Sequence, residues 1–107
     1  MKFRIVYTKK ALDDIDGIYN YISEVLNEPA IAKKLIKAIL QSIRTLEENP
    51  NRHHLCDEEE LRAQNIRLMP VKNYLVAYMP DTENKTVNII RVFYGRRDIS
   101  KQLNDTE

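Results

Sequence analysis

The sequence predicts an α+β fold in which two helices pack on one face of a single four-stranded sheet. Three observations indicate this fold: the chain opens on an alternating strand pattern, two amphipathic helical stripes follow, and three strand-like runs separated by turn residues come last. A sheet and helices that each have one apolar face bury those faces by layering against each other. With 107 residues the chain is long enough for one such core, so one domain over residues 1–107 is expected.

The first strand is predicted over residues 2–7, because apolar side chains recur at every second position there. Thr8 has a hydroxyl that suits the N-cap of the helix that follows. That helix is indicated by a single apolar stripe at steps of three and four, which consists of Ala11, Leu12, Ile15, Ile18, Tyr19, Ile22, Val25 and Leu26.

A second helix is predicted after residues 27–29, since Pro29 suits the first turn of a helix. Its apolar stripe consists of Ala32, Leu35, Ile36, Ile39, Leu40, Ile43 and Leu46, and Asn49 and Pro50 end it. The two helices are expected to form an antiparallel hairpin. The opposite side of the second helix is basic, with Lys33, Lys34, Lys37 and Arg44. We interpret it as a solvated face, and binding of an acidic partner is the alternative.

A polar loop is expected over residues 51–60, with a short helical turn at residues 57–61. Strands are then predicted over residues 62–71, 74–79 and 87–93, with turn residues between them, and together they form an antiparallel meander. The last of these strands is the most apolar and is expected to lie in the centre of the sheet. The sheet face away from the helices is expected to be solvated, covered by the C-terminal tail, or used by a partner.

Composition limits the classes of function. The formal net charge is +1, apolar residues make up 43% and charged residues 31%, and no long apolar run or signal pattern is present. A soluble cytoplasmic protein without membrane contact is therefore expected. Cys56 is the single cysteine, which excludes an intramolecular disulfide. His53 and His54 do not complete a zinc spacing, so we predict a solvated loop there, with no metal and no cofactor.

The end of the last strand carries the candidate site. Tyr94, Arg96 and Arg97 crowd around one glycine, and a phenol with two guanidiniums favours binding of phosphate or carboxylate groups. Arg67 and Arg91 are predicted to contribute to target binding. The structural alternatives are an ion pair between Arg91 and an acid, and a turn closed by Arg97 with the aspartate that follows it.

The chain resembles the RelE/ParE superfamily of bacterial type II toxins. The order of the elements carries this resemblance, together with three segments: Leu46 to Pro50, Asn73 to Tyr78, and Ile90 to Asp98. The resemblance implies a growth-inhibiting toxin that a cognate antitoxin neutralises and that serves plasmid stabilisation. The implied target is DNA gyrase for ParE-like members, or ribosome-bound messenger RNA for RelE-like nucleases. Both a homo-oligomer and a toxin–antitoxin hetero-oligomer are compatible with it.

The same resemblance implies roles for individual residues. Arg97 matches a RelE-type catalytic arginine, Arg96 is a second phosphate contact, and Tyr94 is a proton donor or a platform for a base. Two departures weigh against the nuclease: Leu75 stands where RelE-like nucleases commonly have an arginine, and residues 99–107 contain no tyrosine. ParE-like action on gyrase is therefore favoured over messenger RNA cleavage, and a non-catalytic peptide-binding protein is the third alternative.

Overall fold

A computed structural model describes residues 2–95 of the chain. The elements are β1 Arg4–Tyr7, α1 Lys9–Asn20, a π-helical turn Tyr21–Val25, α2 Pro29–Arg44, a 3₁₀ turn Thr45–Glu47, α3 Glu59–Ala63, β2 Arg67–Val71, β3 Tyr74–Asp81 and β4 Thr86–Tyr94. The predicted α+β fold, with a strand, a helical pair and a three-stranded meander, is confirmed. β2 begins at Arg67 instead of Arg62, because Arg62 belongs to α3.

The sheet has the strand order β1-β4-β3-β2, so the last strand lies inside the sheet as predicted. β4 pairs in parallel with β1 and antiparallel with β3. Tyr78 pairs with Ile89 and Ala77 pairs with Arg91, so Ile90 is an extra residue that forms a bulge in β4. The register also places Tyr74 opposite Tyr94 at the end of the sheet.

Thr8 fixes the start of α1 to the central strand. Its hydroxyl accepts a hydrogen bond from the N–H of Ala11 at 3.0 Å, as an N-cap does, and donates to the carbonyl of Ile90 at 2.9 Å. The backbone N–H of Thr8 donates to the carbonyl of Ile89 at 3.1 Å. The predicted cap is therefore present, and it also binds the bulged part of β4.

The main core lies between the helices and the sheet. Its fully buried large side chains include Ile39, Ile43, Leu46, Met69, Val76, Tyr78, Val87, Ile89 and Val92. The predicted stripe of the first helix is only partly buried, since Val25 and Leu26 are 69% and 50% exposed. A π turn adds one residue to the helical repeat, so it rotates these side chains away from the core.

A second, smaller core covers the other face of the sheet. Its buried members are Cys56, Leu61, Ile66, Leu75, Ala77 and Phe93. The segment before β2 forms this cover: the N–H of Cys56 donates to the carbonyl of Ile66 at 2.8 Å, and the N–H of Leu68 donates to the carbonyl of His54 at 3.1 Å. From the sequence, this face was expected to be solvated, covered by the C-terminal tail or used by a partner. The chain instead covers part of it with its own loop, which also supplies hydrogen-bond partners to the edge strand β2.

None of the helices within residues 2–95 is both long enough and apolar enough to cross a membrane.

Candidate functional site

Tyr94 lies at the end of β4 and is 56% exposed. Its ring meets the ring of Tyr74 edge to face, with 5.2 Å between the centroids and 73° between the planes. The next residue, Gly95, has φ +74°, a left-handed conformation that favours glycine, and its N–H donates to the carbonyl of Asn73 at 2.8 Å. The end of β4 is thus hydrogen-bonded to the β2–β3 turn. Tyr74 of β3 and Tyr94 of β4 form a ring contact at this end of the sheet, and we call them the tyrosine pair.

A third tyrosine from the helical hairpin joins this pair. Burial raises the pKa of Tyr74, and the neighbouring Tyr94 and Tyr21 raise the pKa further. The phenol of Tyr74 therefore stays protonated at neutral pH and is a hydrogen-bond donor, not a base. The sequence did not predict Tyr21 at this place, because a helix residue and two strand residues meet here only through the packing of the hairpin.

Two clefts open on either side of the tyrosine pair. One, of about 790 Å³, lies beside α1 and β4, and the other, of about 720 Å³, lies between α2 and the β2–β3 turn. Both are lined by Ile22, Tyr74 and Tyr94. Their charges differ: the cleft beside α1 has Asp13, Asp14 and Arg91, whereas the cleft beside α2 has Lys34, Lys37 and Lys72.

Arg91 is bound to an acid of α1. Its Nε and Nη2 donate to the two carboxylate oxygens of Asp14 at 2.6 and 2.9 Å, and the N–H of Val92 donates to the same carboxylate at 2.9 Å. Both side chains of the pair are only 16% exposed. Arg91 thus has the acid partner that the structural alternative proposed, and the pair fastens α1 to β4. A role for Arg91 in target binding stays a prediction.

Arg67 lies in a third cleft, of about 690 Å³, at the edge of β2. Its Nη1 donates to the carbonyls of Asn51 and His53 at 3.1 and 2.7 Å, so the loop holds the guanidinium in place. The other charged or titratable side chains of this cleft are Arg52, His53, His54, Asp57 and Arg62. We call this set, with Arg67, the cationic cleft, because three guanidiniums face a single carboxylate there.

The pKa of His53, in the cationic cleft, is shifted by its surroundings. Burial lowers its pKa, and the nearby charges of Arg52 and His54 lower it further. Its Nε2 accepts a hydrogen bond from the Nε of Arg52 at 3.3 Å, and its ring lies edge to face with the ring of Tyr78 at 6.3 Å. The lowered pKa favours the neutral imidazole of His53 at pH 7, so this side chain adds no charge to the three guanidiniums of the cleft.

The structure separates the residues that the sequence predicted as one site. Tyr94 belongs to the tyrosine pair, Arg67 to the cationic cleft and Arg91 to the ion pair with Asp14. Arg96 and Arg97 lie outside the described residues, so their predicted roles stay predictions. Sequence reasoning missed the grouping of Arg52, His53, His54 and Arg62, which were interpreted as parts of a polar loop and a strand, and no spacing in the sequence indicates that they meet.

No group of three or more His, Cys, Asp or Glu side chains within residues 2–95 is placed to hold a metal ion.

Comparison with known proteins shows the family. Residues 5–99 match the family model of the ParE toxin of the type II toxin–antitoxin system parDE. The fold is similar to that of the chromosomal ParDE toxin–antitoxin system from P. aeruginosa, with a TM-score of 0.73, 19% identity, and coverage of 89% of this chain and 98% of that chain. No curated protein sequence matches the chain.

Two further solved structures have the same fold. One is the toxin–antitoxin complex RelBE2 from Mycobacterium tuberculosis, with a TM-score of 0.64, 20% identity, and coverage of 88% of this chain and 99% of that chain. The other is an arginine-to-alanine mutant of the E. coli toxin RelE in the free state, with a TM-score of 0.64, 14% identity, and coverage of 99% and 94%. At these identities the structures show the fold, and the family model assigns the chain. The chain belongs to the ParE toxin family of type II toxin–antitoxin systems.

Proposed function

We propose that this protein is a bacterial toxin that inhibits growth when free and that a cognate antitoxin neutralises in the cytoplasm, with a role in plasmid stabilisation. The match of residues 5–99 to the ParE toxin model carries the proposal. Two of the similar structures are the ParDE toxin–antitoxin system and the RelBE2 toxin–antitoxin complex. They support a hetero-oligomer with the antitoxin as the neutralised form.

The target that we propose is DNA gyrase. Leu75, at the position where RelE-like nucleases commonly have an arginine, is only 5% exposed and packs in the smaller core with Cys56 and Phe93. An apolar side chain that the chain's own loop covers cannot stabilise the charged transition state of RNA cleavage. ParE-like action is therefore favoured over nuclease action.

Growth and gyrase assays test this proposal. Induction of the protein in its native host should arrest growth, and co-expression of the adjacent gene should relieve the arrest. The purified protein should inhibit supercoiling by gyrase and leave gyrase-dependent double-strand breaks in plasmid DNA. Growth that continues normally after induction of the folded protein would contradict the toxin proposal, and arrest without any effect on gyrase would contradict the target.

Cleavage of messenger RNA is the second candidate, and the cationic cleft is the observation that favours it. Within residues 2–95 neither the Arg62 nor the His54 side chain has a hydrogen bond or an ion pair, so both are available to phosphate groups. Primer extension on a translated message separates the two targets. If RNA is the target, Arg62→Ala and His54→Ala should each reduce cleavage about 10-fold or more, whereas Lys33→Ala, an exposed position of α2 that lines none of the three large clefts, should not.

A further inference from the structure

The loop that forms one wall of the cationic cleft is held in place by two side chains of the sheet. The buried hydroxyl of Tyr78 donates to the carbonyl of Pro50 at 2.6 Å, and Nη1 of Arg67 donates to two further carbonyls of the loop. The carbonyl of His54 accepts a hydrogen bond from the backbone of β2 at 3.1 Å. The side chains that this loop presents are therefore positioned before any ligand binds, which lowers the entropic cost of binding.

The cationic cleft has positive charge that no carboxylate neutralises. Arg52, Arg62 and Arg67 line it, and none of them forms an ion pair within residues 2–95. Asp57 also lines the cleft, without pairing with any of the three. The Nε of Arg67 is buried and has no hydrogen-bond partner in this part of the chain. Guanidiniums beside apolar walls concentrate a positive potential in the cleft, and this potential attracts anions.

The type of cation in the cationic cleft differs from that in the cleft beside α2. Among the described residues, the cationic cleft is lined by arginines and by no lysine, whereas the cleft beside α2 is lined by lysines and by no arginine. A guanidinium offers a planar fork that fits a phosphate and a flat face that stacks on a base, and an ammonium offers neither. The composition therefore favours a nucleotide unit over a carboxylate side chain, which has no base to stack.

The other walls of the cleft limit the size of the ligand. Four lining side chains are apolar and suit a sugar or the face of a base: Leu55, Leu68, Pro70 and Leu75. The volume of about 690 Å³ lies in the range of small-ligand sites and is large enough for one or two nucleotides. Glu58 to Glu60 are exposed directly after Asp57 and repel a longer stretch of nucleic-acid backbone. The contact is therefore restricted to one or two phosphates.

We propose that the cationic cleft binds the sugar–phosphate backbone of the DNA on which gyrase acts, with one phosphate on Arg52, Arg62 and His54 and the adjoining sugar on the apolar side chains. The inference rests on the proposed function, because gyrase supplies the DNA. It gives the toxin a direct contact with the DNA in addition to the enzyme. The toxin holds the backbone, and the breakage of DNA bonds is left to gyrase.

Site-specific crosslinking tests the contact directly. The photoreactive residue p-benzoylphenylalanine replaces His54 in one variant and Lys33 in the control, an exposed position of α2 that lines none of the three large clefts. Each variant is irradiated with purified gyrase and radiolabelled plasmid DNA. The probe at position 54 should form an adduct with DNA, and the probe at position 33 should not. An adduct of position 54 with gyrase and none with DNA would overturn the inference, because the cleft would then hold a protein segment.

The salt dependence of binding tests the chemistry of the contact. The cleft variant Arg62→Gln/His54→Gln removes two side chains that form no hydrogen bond within residues 2–95, and Lys33→Gln is a control with the same formal charge. The cleft variant should bind the gyrase–DNA complex about 10-fold more weakly than the control. Its slope of log affinity against log salt concentration should be smaller by about 1, as the loss of one phosphate contact predicts. Both variants should bind gyrase equally well without DNA, and circular dichroism verifies their fold.

The outcomes separate the inference from the proposed function. Equal affinities and equal salt slopes of the cleft variant and the control on the gyrase–DNA complex would overturn the inference, while the proposed function would stand if the wild type still inhibits supercoiling. A wild-type protein without any effect on gyrase would overturn both. Adducts of position 54 with messenger RNA on translating ribosomes, and none with DNA, would assign the cleft to RNA and overturn the inference.

Discussion

The ion pair of Asp14 with Arg91 should contribute more to stability than any other charged contact that the described structure shows. Asp14 accepts three hydrogen bonds, at 2.6, 2.9 and 2.9 Å, and both side chains are only 16% exposed. Removal of one partner of a fully buried pair costs about 3–5 kcal/mol, and the remaining exposure with its solvent screening lowers that figure. We expect Asp14→Ala to lower the free energy of unfolding by about 2–4 kcal/mol.

Urea denaturation followed by circular dichroism measures this loss, and a double-mutant cycle with Arg91→Ala isolates the coupling between the two side chains. The matched control is Asp13→Ala. Its carboxylate pairs with Lys9 at 3.2 Å, but the two side chains are 59% and 88% exposed, so the change should stay within about 0.5 kcal/mol. A coupling energy below about 0.5 kcal/mol, or equal losses for Asp13→Ala and Asp14→Ala, would refute the reasoning.

Three further changes should alter stability in denaturant titrations. Thr8→Ala removes the N-cap and the bond to Ile90, so it should cost about 1–2 kcal/mol, and Thr8→Ser should recover most of the loss. Tyr78→Phe leaves the carbonyl of Pro50 without its 2.6 Å donor and should cost about 1–3 kcal/mol, an expectation that a loss below 0.5 kcal/mol would contradict. The pKa of His53 is lowered in the folded state, so the unfolded chain binds more protons and stability should fall as the pH drops below the ordinary histidine value near 6.5. His53→Gln should weaken this dependence between pH 7 and 5.

Local patterns were sufficient to predict most of the fold. The hydroxyl of Thr8 and the Pro29 start of α2 act within one turn of the chain, so they are visible in sequence. The apolar run of β4 indicated the centre of the sheet correctly, because this strand buries side chains on both faces, with Val87, Ile89 and Val92 in the main core and Phe93 in the smaller core. The cover over the second face could not be predicted, since it depends on one bridge between Leu55 and Arg67 that no periodicity encodes.

Contacts between distant residues explain what the sequence left open at the candidate site. The sequence analysis gave an acidic partner for Arg91 as an alternative, but it did not identify which acid. Asp14 is 77 positions away, and nothing in the sequence distinguishes it from the other acidic residues of α1. The contact of Tyr74 with Tyr94 follows from the register of β3 and β4, which no local pattern fixes. The cationic cleft was missed for the same reason, because its arginines come from a loop, a short helix and an edge strand.

The tyrosine pair connects two clefts at this end of the sheet. Tyr74 and Tyr94 line the cleft beside α2, and they also line a small cavity of about 260 Å³ that shares Pro70 and Leu75 with the cationic cleft. An antitoxin segment that covers Tyr94 therefore lies next to the entrance of the cationic cleft. Neutralisation by such a segment needs only steric and electrostatic blocking of this end of the sheet. Since an occluded site requires no change of fold, amide exchange of β3 and β4 in the free toxin should show the same protected core as in the complex, and protection gained on binding should concentrate at residues 72–74 and 94–95.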